Sequence, residues 1–370
     1  MGVPLGSVII ALLLICVIAS LAMMIRNGVT VGKIIATTVA IIVICAVVPF
    51  IEDNENTGPM ITQVETMYYD DYIPCDSSTT VDSGNIEIVD VGGTSYAHAN
   101  GLGDATISIN GTQYTITILK APLDVFMIAG QSNAEHGIYN RVDADPKGTL
   151  GTTYYYGTSS NVLIYTSSYN VDNYDIYDMV GTETYPIAAN VDLPFSATYH
   201  KLTGHKTLVV NAGVAGSPVL DWVPGGDCYE YAKAIFNDAI GKIDTDNYDV
   251  TIKSYIWIQG EADNGTSVTT YKTRFLSMHN SLIGEDSENV FSSTPFDGCL
   301  ISKVRSVNGV NSSKAELQLA DSIDSVFLAT TVADTFTMAN ALMLGDNLHY
   351  SQFGDNHIGM ALGEYAAKLT

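Results

Sequence analysis

Ser132 lies in the stretch Leu123 to Asn133, LDVFMIAGQSN, where an apolar run of strand character, Val125 to Ala129, stops at Gly130. The hydroxyl is delivered into a tight turn at a strand's carboxyl end, the place where open α/β sheets carry their chemistry. A serine hydroxyl is a weak nucleophile until a base takes its proton and donors stabilise the oxyanion formed on attack. GDNLHYSQFG, Gly345 to Gly354, supplies Asp346 and His349 three residues apart. In a loop or first helical turn that spacing lets a carboxylate fix the tautomer of the imidazole. Donors are available in two glycine-containing stretches. Asn211 to Pro218, NAGVAGSP, brings backbone close to a ligand, and the N–H of Gly216 is a candidate oxyanion donor. WIQGEAD, Trp257 to Asp263, holds Gln259, whose amide either completes an oxyanion hole or ties loops together. In the same stretch Glu261 and Asp263 act either as orienting acids or as acceptors for backbone N–H groups. Ser132, His349 and Asp346 are therefore the candidate nucleophile, base and acid. Gly216, Gln259, Gln131, Asn133 and Glu261 are the candidate oxyanion and substrate contacts.

The remaining chemistry-bearing residues point nowhere else. His98, His136, His200, His205, His279 and His357 show no metal-ligand spacing, and no H-E-x-x-H, C-x-x-C or phosphate-cradling glycine loop is present. No metal or other cofactor is expected. Residues 1 to 51 contain no acidic residue and just two basic ones, Arg26 and Lys33, so all 40 acidic side chains lie beyond them. A surface so negative repels phosphate backbones and makes a nucleic-acid partner improbable. Cys75, Cys228 and Cys299 permit one disulfide with a free thiol left over, and nothing in the sequence pairs them.

Around these residues the chain divides into four parts. Val3 to Ile25 and Ile34 to Ile51 are apolar and uncharged, each near the roughly 20 residues a membrane helix needs. Arg26 and Lys33 between them place that loop in the cytoplasm and everything after Glu52 outside. Residues 1–51 are thus expected to form a transmembrane hairpin, the alternative being a lone signal anchor in the second segment. Residues 52–84, rich in Asp, Thr, Ser and Tyr, read as a polar stalk. Residues 85–122 read as a small β module, with NIEIVDV and ATISIN alternating apolar and polar, and Asn110-Gly111 marking a hairpin turn. From 123 to 370, strand-like runs at 125–129, 207–211, 254–259, 299–304 and 325–330 alternate with stretches of helical spacing, the pattern of a parallel sheet covered on both faces. Residues 139–193 break this rhythm and are dense in tyrosine. They form either a wall for sugar rings or a plain structural insertion.

Taken together, AGQSN, the loop with Gly216-Ser217 and Trp222, WxQGExD and the C-terminal DxxH with its following glycine resemble the SGNH hydrolase superfamily. They look most like its sialate O-acetylesterase and acetylxylan esterase branch, the sixth carbohydrate esterase family, over about two thirds of the chain. The resemblance implies an α/β fold, three-layer α/β/α with flavodoxin-like strand order, and a serine esterase without cofactor. It matches Ser132 to the nucleophile, His349 to the base and Asp346 to its partner. It matches the N–H groups of Ser132 and Gly216 and the side chain of Gln259 to the oxyanion donors. The expected protein is a membrane-anchored, extracytoplasmic esterase that removes O-acetyl groups from a sialate- or xylan-type glycan. The alternative is a surface glycan-binding adhesin or filament subunit that uses the same fold with little or no catalysis.

Overall fold

The computed structural model describes residues 60–135, 151–157, 174–178 and 191–370. The two apolar N-terminal segments lie outside them; among the described residues no helix is long and apolar enough to cross a membrane.

The described chain opens with short strands: β1 (Thr66–Tyr68), β2 (Tyr72–Pro74), β3 (Thr80–Ser83), β4 (Ile86–Val91), β5 (Thr94–Ala99), β6 (Gly103–Ile109) and β7 (Thr112–Leu119). They form two small sheets, ordered β1-β7-β6-β3 and β2-β5-β4. Strict alternation in β6 and β7 sends Ala105, Ile107, Ile109, Ile116 and Ile118 into a core shared with Met67, Ile86 and Ala97. Asn110 and Gly111, at φ of 53° and 79°, make the two-residue turn the sequence predicts. The polar stalk expected over 52–84 does not hold from Thr66 onward, because β1, β2 and β3 lie within it and pair with β7, β5 and β6. Strands of three or four residues are too short to display a period, so composition alone misassigns them.

The main sheet comprises β8 (Ala121–Gly130), β9 (Thr153–Gly157), β10 (Asp175–Asp178), β11 (Lys206–Asn211), β12 (Tyr248–Ile258), β13 (Gly298–Ser302) and β14 (Val326–Thr330). Its order is β10-β9-β11-β8-β12-β13-β14, parallel except for β10. The run β11-β8-β12-β13-β14 is the flavodoxin-like order, which puts the carboxyl end of β8 at the switch point where the chain first reverses direction across the sheet. Helices α1 (Asp192–Thr203) and α5 (Gln352–Ala366) cover one face; α2 (Asp227–Lys242), α3 (Val268–Leu282) and α4 (Val310–Ser322) cover the other. The alternation of β8 serves both cores. Leu123, Val125, Met127 and Ala129 face α2 to α4, while Phe126 and Ile128 face α1 and α5.

The tyrosine-rich interval contributes β9 and β10 to the sheet edge, so over those strands the structural-insertion reading holds. Tyr154 is buried there and its hydroxyl donates to Asp70 Oδ2 at 2.6 Å. Cys75, Cys228 and Cys299 are all buried and unbridged, so the disulfide the sequence permits is not formed among them.

At the end of β8 the backbone leaves no room for a side chain. Gly130 has φ 141°, and a Cβ built on it would fall inside the van der Waals sphere of the Ile258 carbonyl oxygen on β12. Gly130→Ala should therefore lower stability by about 3 kcal/mol, from backbone strain together with a backbone clash. Urea unfolding measures this, and an unchanged midpoint would contradict it.

Candidate active site

Beyond Gly130 the chain turns at once. Gln131 N–H donates to Ile258 O at 3.1 Å, and the N–H groups of Ala134 and Glu135 donate back to Gln131 O at 2.7 and 3.1 Å. This single helical turn lifts Ser132 to the rim of the sheet, where it is partly exposed. The turn is tied to the end of β11. Asn211 Nδ2 donates to Ala134 O at 2.8 Å, Val214 N–H donates to Gly130 O at 2.9 Å, and Gly213 packs so closely that a Cβ would lie 2.7 Å from Glu135 N.

His349 arrives from the far end of the chain. His349 Nε2 is 2.9 Å from Ser132 Oγ, and its Nδ1 is 2.6 Å from Asp346 Oδ2. Asp346 Oδ1 accepts from the N–H groups of Leu348 and His349 at 2.9 and 3.0 Å. Burial opposes ionisation of Asp346, but the hydrogen bonds from His349, Leu348 and His349 N–H outweigh it and hold the carboxyl at about 2. An ionised Asp346 accepts from Nδ1–H. Nε2 is then the acceptor, and the Ser132 hydroxyl donates to it. Asn347, at φ 55°, turns the loop, and Arg305 Nη1 holds it by donating to Asn347 O and Asn308 Oδ1 at 3.1 and 2.9 Å.

The other expected contacts divide. The N–H groups of Ser132 and Gly216 make no hydrogen bond among the described residues, and Gly216, at φ 71°, sits in an exposed turn just beyond Val214. Both N–H groups are therefore unengaged among the described residues. Gln259 is not. It is 0% exposed, its Nε2 donates to Ser217 O and Asp263 Oδ2 at 3.1 and 2.7 Å, and its Oε1 accepts from the Tyr271 hydroxyl at 2.9 Å. Both N–H bonds are committed, so the expected oxyanion role gives way to the alternative, a structural amide. Gln131 is likewise internal, its Oε1 accepting from Gly260 and Ala262 N–H at 3.2 and 3.0 Å. Asp263 accepts from Val219 N–H, Gln259 and Thr266, and so acts as a loop acceptor rather than an orienting acid. Asn133 contacts Glu261 and the backbone beside His349. Sequence reasoning passed over Asn211, Arg305 and Glu135. Asn211 was signalled by its place at the end of a strand, immediately before the glycine loop.

The carbohydrate esterase family SASA, sialic acid-specific acetylesterase, matches residues 122–368. The chain belongs to this family. It is a carboxylic ester hydrolase, and the serine-histidine-aspartate chain lies inside the matched region. Among solved structures the esterase is similar to a protein from Arabidopsis thaliana, at 14% identity and TM-score 0.46, covering 67% of this chain and 98% of that one. A carbohydrate acetylesterase from Xanthomonas citri is 12% identical at TM-score 0.43, covering 82% and 73%. NanS is 13% identical at TM-score 0.45, covering 68% and 98%. No curated protein sequence matches the chain.

Two carboxyls of the esterase, Glu135 and Glu261, sit beside the Ser132 turn, and burial raises both. Burial pushes Glu135 up to about 7, against the N–H of Ala215 that it accepts. Burial also raises Glu261, partly offset by its own N–H, by Asn133 and by the charge of His349. For Glu135 the linkage sign is set by a raised acid. The unfolded chain ionises near its ordinary value of about 4.3, so stability falls as pH rises from there and levels off once the folded carboxyl also ionises, above about 7. Glu135→Gln removes that titration. Its stability relative to the parent should improve from pH 5 to pH 8 in denaturation curves, and a pH-independent difference would contradict the assignment. Gln259→Ala should act on stability, costing about 1 to 3 kcal/mol by removing one buried hydrogen-bond partner from each of Ser217 O, Asp263 and Tyr271. A loss confined to kcat with an unchanged melting temperature would instead return Gln259 to the oxyanion site.

Proposed function

We propose that this esterase removes O-acetyl groups from carbohydrate by acyl transfer through Ser132. The observation that carries the reading is the pair of contacts that link Ser132 Oγ to His349 Nε2 at 2.9 Å and His349 Nδ1 to Asp346 at 2.6 Å, within a carbohydrate esterase family. His349 takes the hydroxyl proton as Ser132 Oγ attacks the acetyl carbonyl, and Asp346 stabilises the imidazolium that results. The N–H groups of Ser132 and Gly216 receive the developing oxyanion. The sugar oxygen leaves with the proton from His349 Nε2. Water, deprotonated by the same imidazole, then attacks the acetyl-serine and releases acetate. A sialate- or xylan-type sugar is the substrate class proposed, and the family description supports the former.

The same proposal places the catalytic domain outside the cytoplasm, held to a membrane by residues 1–51. Its support is the absence of charge in Val3 to Ile25 and Ile34 to Ile51 and the basic pair between them. Protease added to sealed cells should cleave the catalytic domain. Full protection until lysis would refute the orientation.

Activity on p-nitrophenyl acetate, acetylated sialic acid and acetylated xylan tests the reaction. Ser132→Ala and His349→Ala should each lower kcat/KM by at least about a thousandfold while the protein remains folded. Persistence of activity in Ser132→Ala would remove Ser132 from the reaction.

A further inference from the structure

Asp346 fixes the tautomer of His349, but the two share one short loop and move together. Asp346 therefore cannot set the distance between His349 and Ser132. Something must tie that loop to the turn that carries the nucleophile. Building on the reading of Ser132 and His349 as nucleophile and base, we propose that Asn133 is the positioning residue that performs this task, with Glu261 as its support.

The side chain of Asn133 is buried and fully engaged. Its Nδ2 donates to Leu348 O at 3.3 Å, and its Oδ1 accepts from Tyr350 N–H at 3.1 Å. The carboxamide thus pairs with the residues on either side of His349, as a neighbouring strand would. Between those two bonds, His349 N–H donates to Asp346 Oδ1 at 3.0 Å and His349 O accepts from Leu344 N–H at 2.9 Å. Every polar backbone group from Leu348 O to Tyr350 N has a partner, and Asn133 supplies the first and the last. Because Asn133 is bonded covalently to Ser132, these contacts reference the base directly to the nucleophile. Arg305 secures the same loop to the region beyond β13, which leaves the Ser132 side to Asn133.

Glu261 reinforces the orientation of the carboxamide that Leu348 O and Tyr350 N–H select. Its Oε1 accepts from Asn133 Nδ2 at 2.8 Å, while Oε2 is buried and has no hydrogen-bond partner among the described residues. Oε1 accepts from the amide's N–H edge, the arrangement that leaves Oδ1 for Tyr350. Without Glu261 the amide loses its shortest hydrogen bond and is held by Leu348 O and Tyr350 N–H alone.

The test uses the full chain, with kcat and KM for p-nitrophenyl acetate normalised to the sites labelled by a fluorophosphonate, alongside melting temperatures. Asn133→Ala should lower kcat about a hundredfold with little change in KM, the scale of a misplaced reacting group. Glu261→Ala should lower kcat about tenfold, the cost of about one lost hydrogen bond. Glu261→Gln keeps an acceptor for Asn133 and should recover most of that loss. The double variant Asn133→Ala/Glu261→Ala should be no slower than Asn133→Ala, because both act along one path. A merely structural role would lower the melting temperature and the number of labelled sites while leaving kcat per labelled site intact, and that result overturns the proposal. Multiplication of the two single losses in the double variant overturns it as well. If Asn133→Ala does not fold, equal losses in Glu261→Ala and Glu261→Gln are the overturning result. Ser132→Ala separates this proposal from the one beneath it. Activity surviving in Ser132→Ala defeats the acyl-transfer reading, whereas an inactive Ser132→Ala beside an Asn133→Ala of parental kcat defeats the positioning role alone.

Discussion

A hydrogen bond of 2.9 Å joins Ser132 to His349 across 217 residues of chain, and the arrangement of the main domain follows from the need to hold it. Neither partner belongs to a regular element. Ser132 sits in a single turn after β8, and His349 in a loop before α5. What brings them together is the parallel sheet, which gathers the ends of β8, β11 and β12 at one pole and lets the glycine at the end of β8 lie against the β12 backbone. The C-terminal loop then reaches the same pole because α5 packs closely on α1. Gly359 and Gly363 allow this, since a Cβ at either would come within 2.7 Å of Pro194 Cγ or Phe195 O.

Beneath the site lies a second, fully buried layer of polar groups. Gln259 joins Ser217, Asp263 and Tyr271, and Tyr271 in turn accepts from Trp257 Nε1 at 3.0 Å. Glu316 is completely buried, and burial together with the nearby Glu261 raises its carboxyl well above the ordinary carboxylate range. Val219 N–H donates to Asp263, so the loop that carries Gly216 is anchored to the one that follows β12. In a low-dielectric interior such a network is rigid when satisfied and costly when broken. It therefore gives the loops that follow β11 and β12 a fixed floor.

This layering explains what the sequence disclosed and what it withheld. β8 and β11 were legible as short, largely apolar runs that end at a glycine or asparagine, the helices because their apolar residues recur at helical spacing, and Asn110-Gly111 announced its hairpin because both residues tolerate positive φ. Asp346 and His349 were legible because their pairing is local, three residues apart. The short strands β1 to β3 were not, since their pairing partners lie elsewhere in the chain. Gln259 illustrates a deeper limit. An amide at the end of a strand has the same chemistry whether it faces a ligand or the interior, and Asp263 and Tyr271, which claim it, were not tied to it by any spacing. Glu135 was silent for a similar reason, because its raised carboxyl comes from burial rather than from a neighbour in sequence.

The central claim is that Ser132 carries the acetyl group during turnover. The most direct measurement is an acid quench of the esterase during hydrolysis of p-nitrophenyl acetate, followed by peptide mass spectrometry. The account predicts a peptide containing Ser132 that is heavier by one acetyl group in the parent protein and in no peptide of Ser132→Ala. An acetyl group found on another residue, or rapid hydrolysis with Ser132 never acetylated under conditions where release of acetate limits the rate, would contradict it.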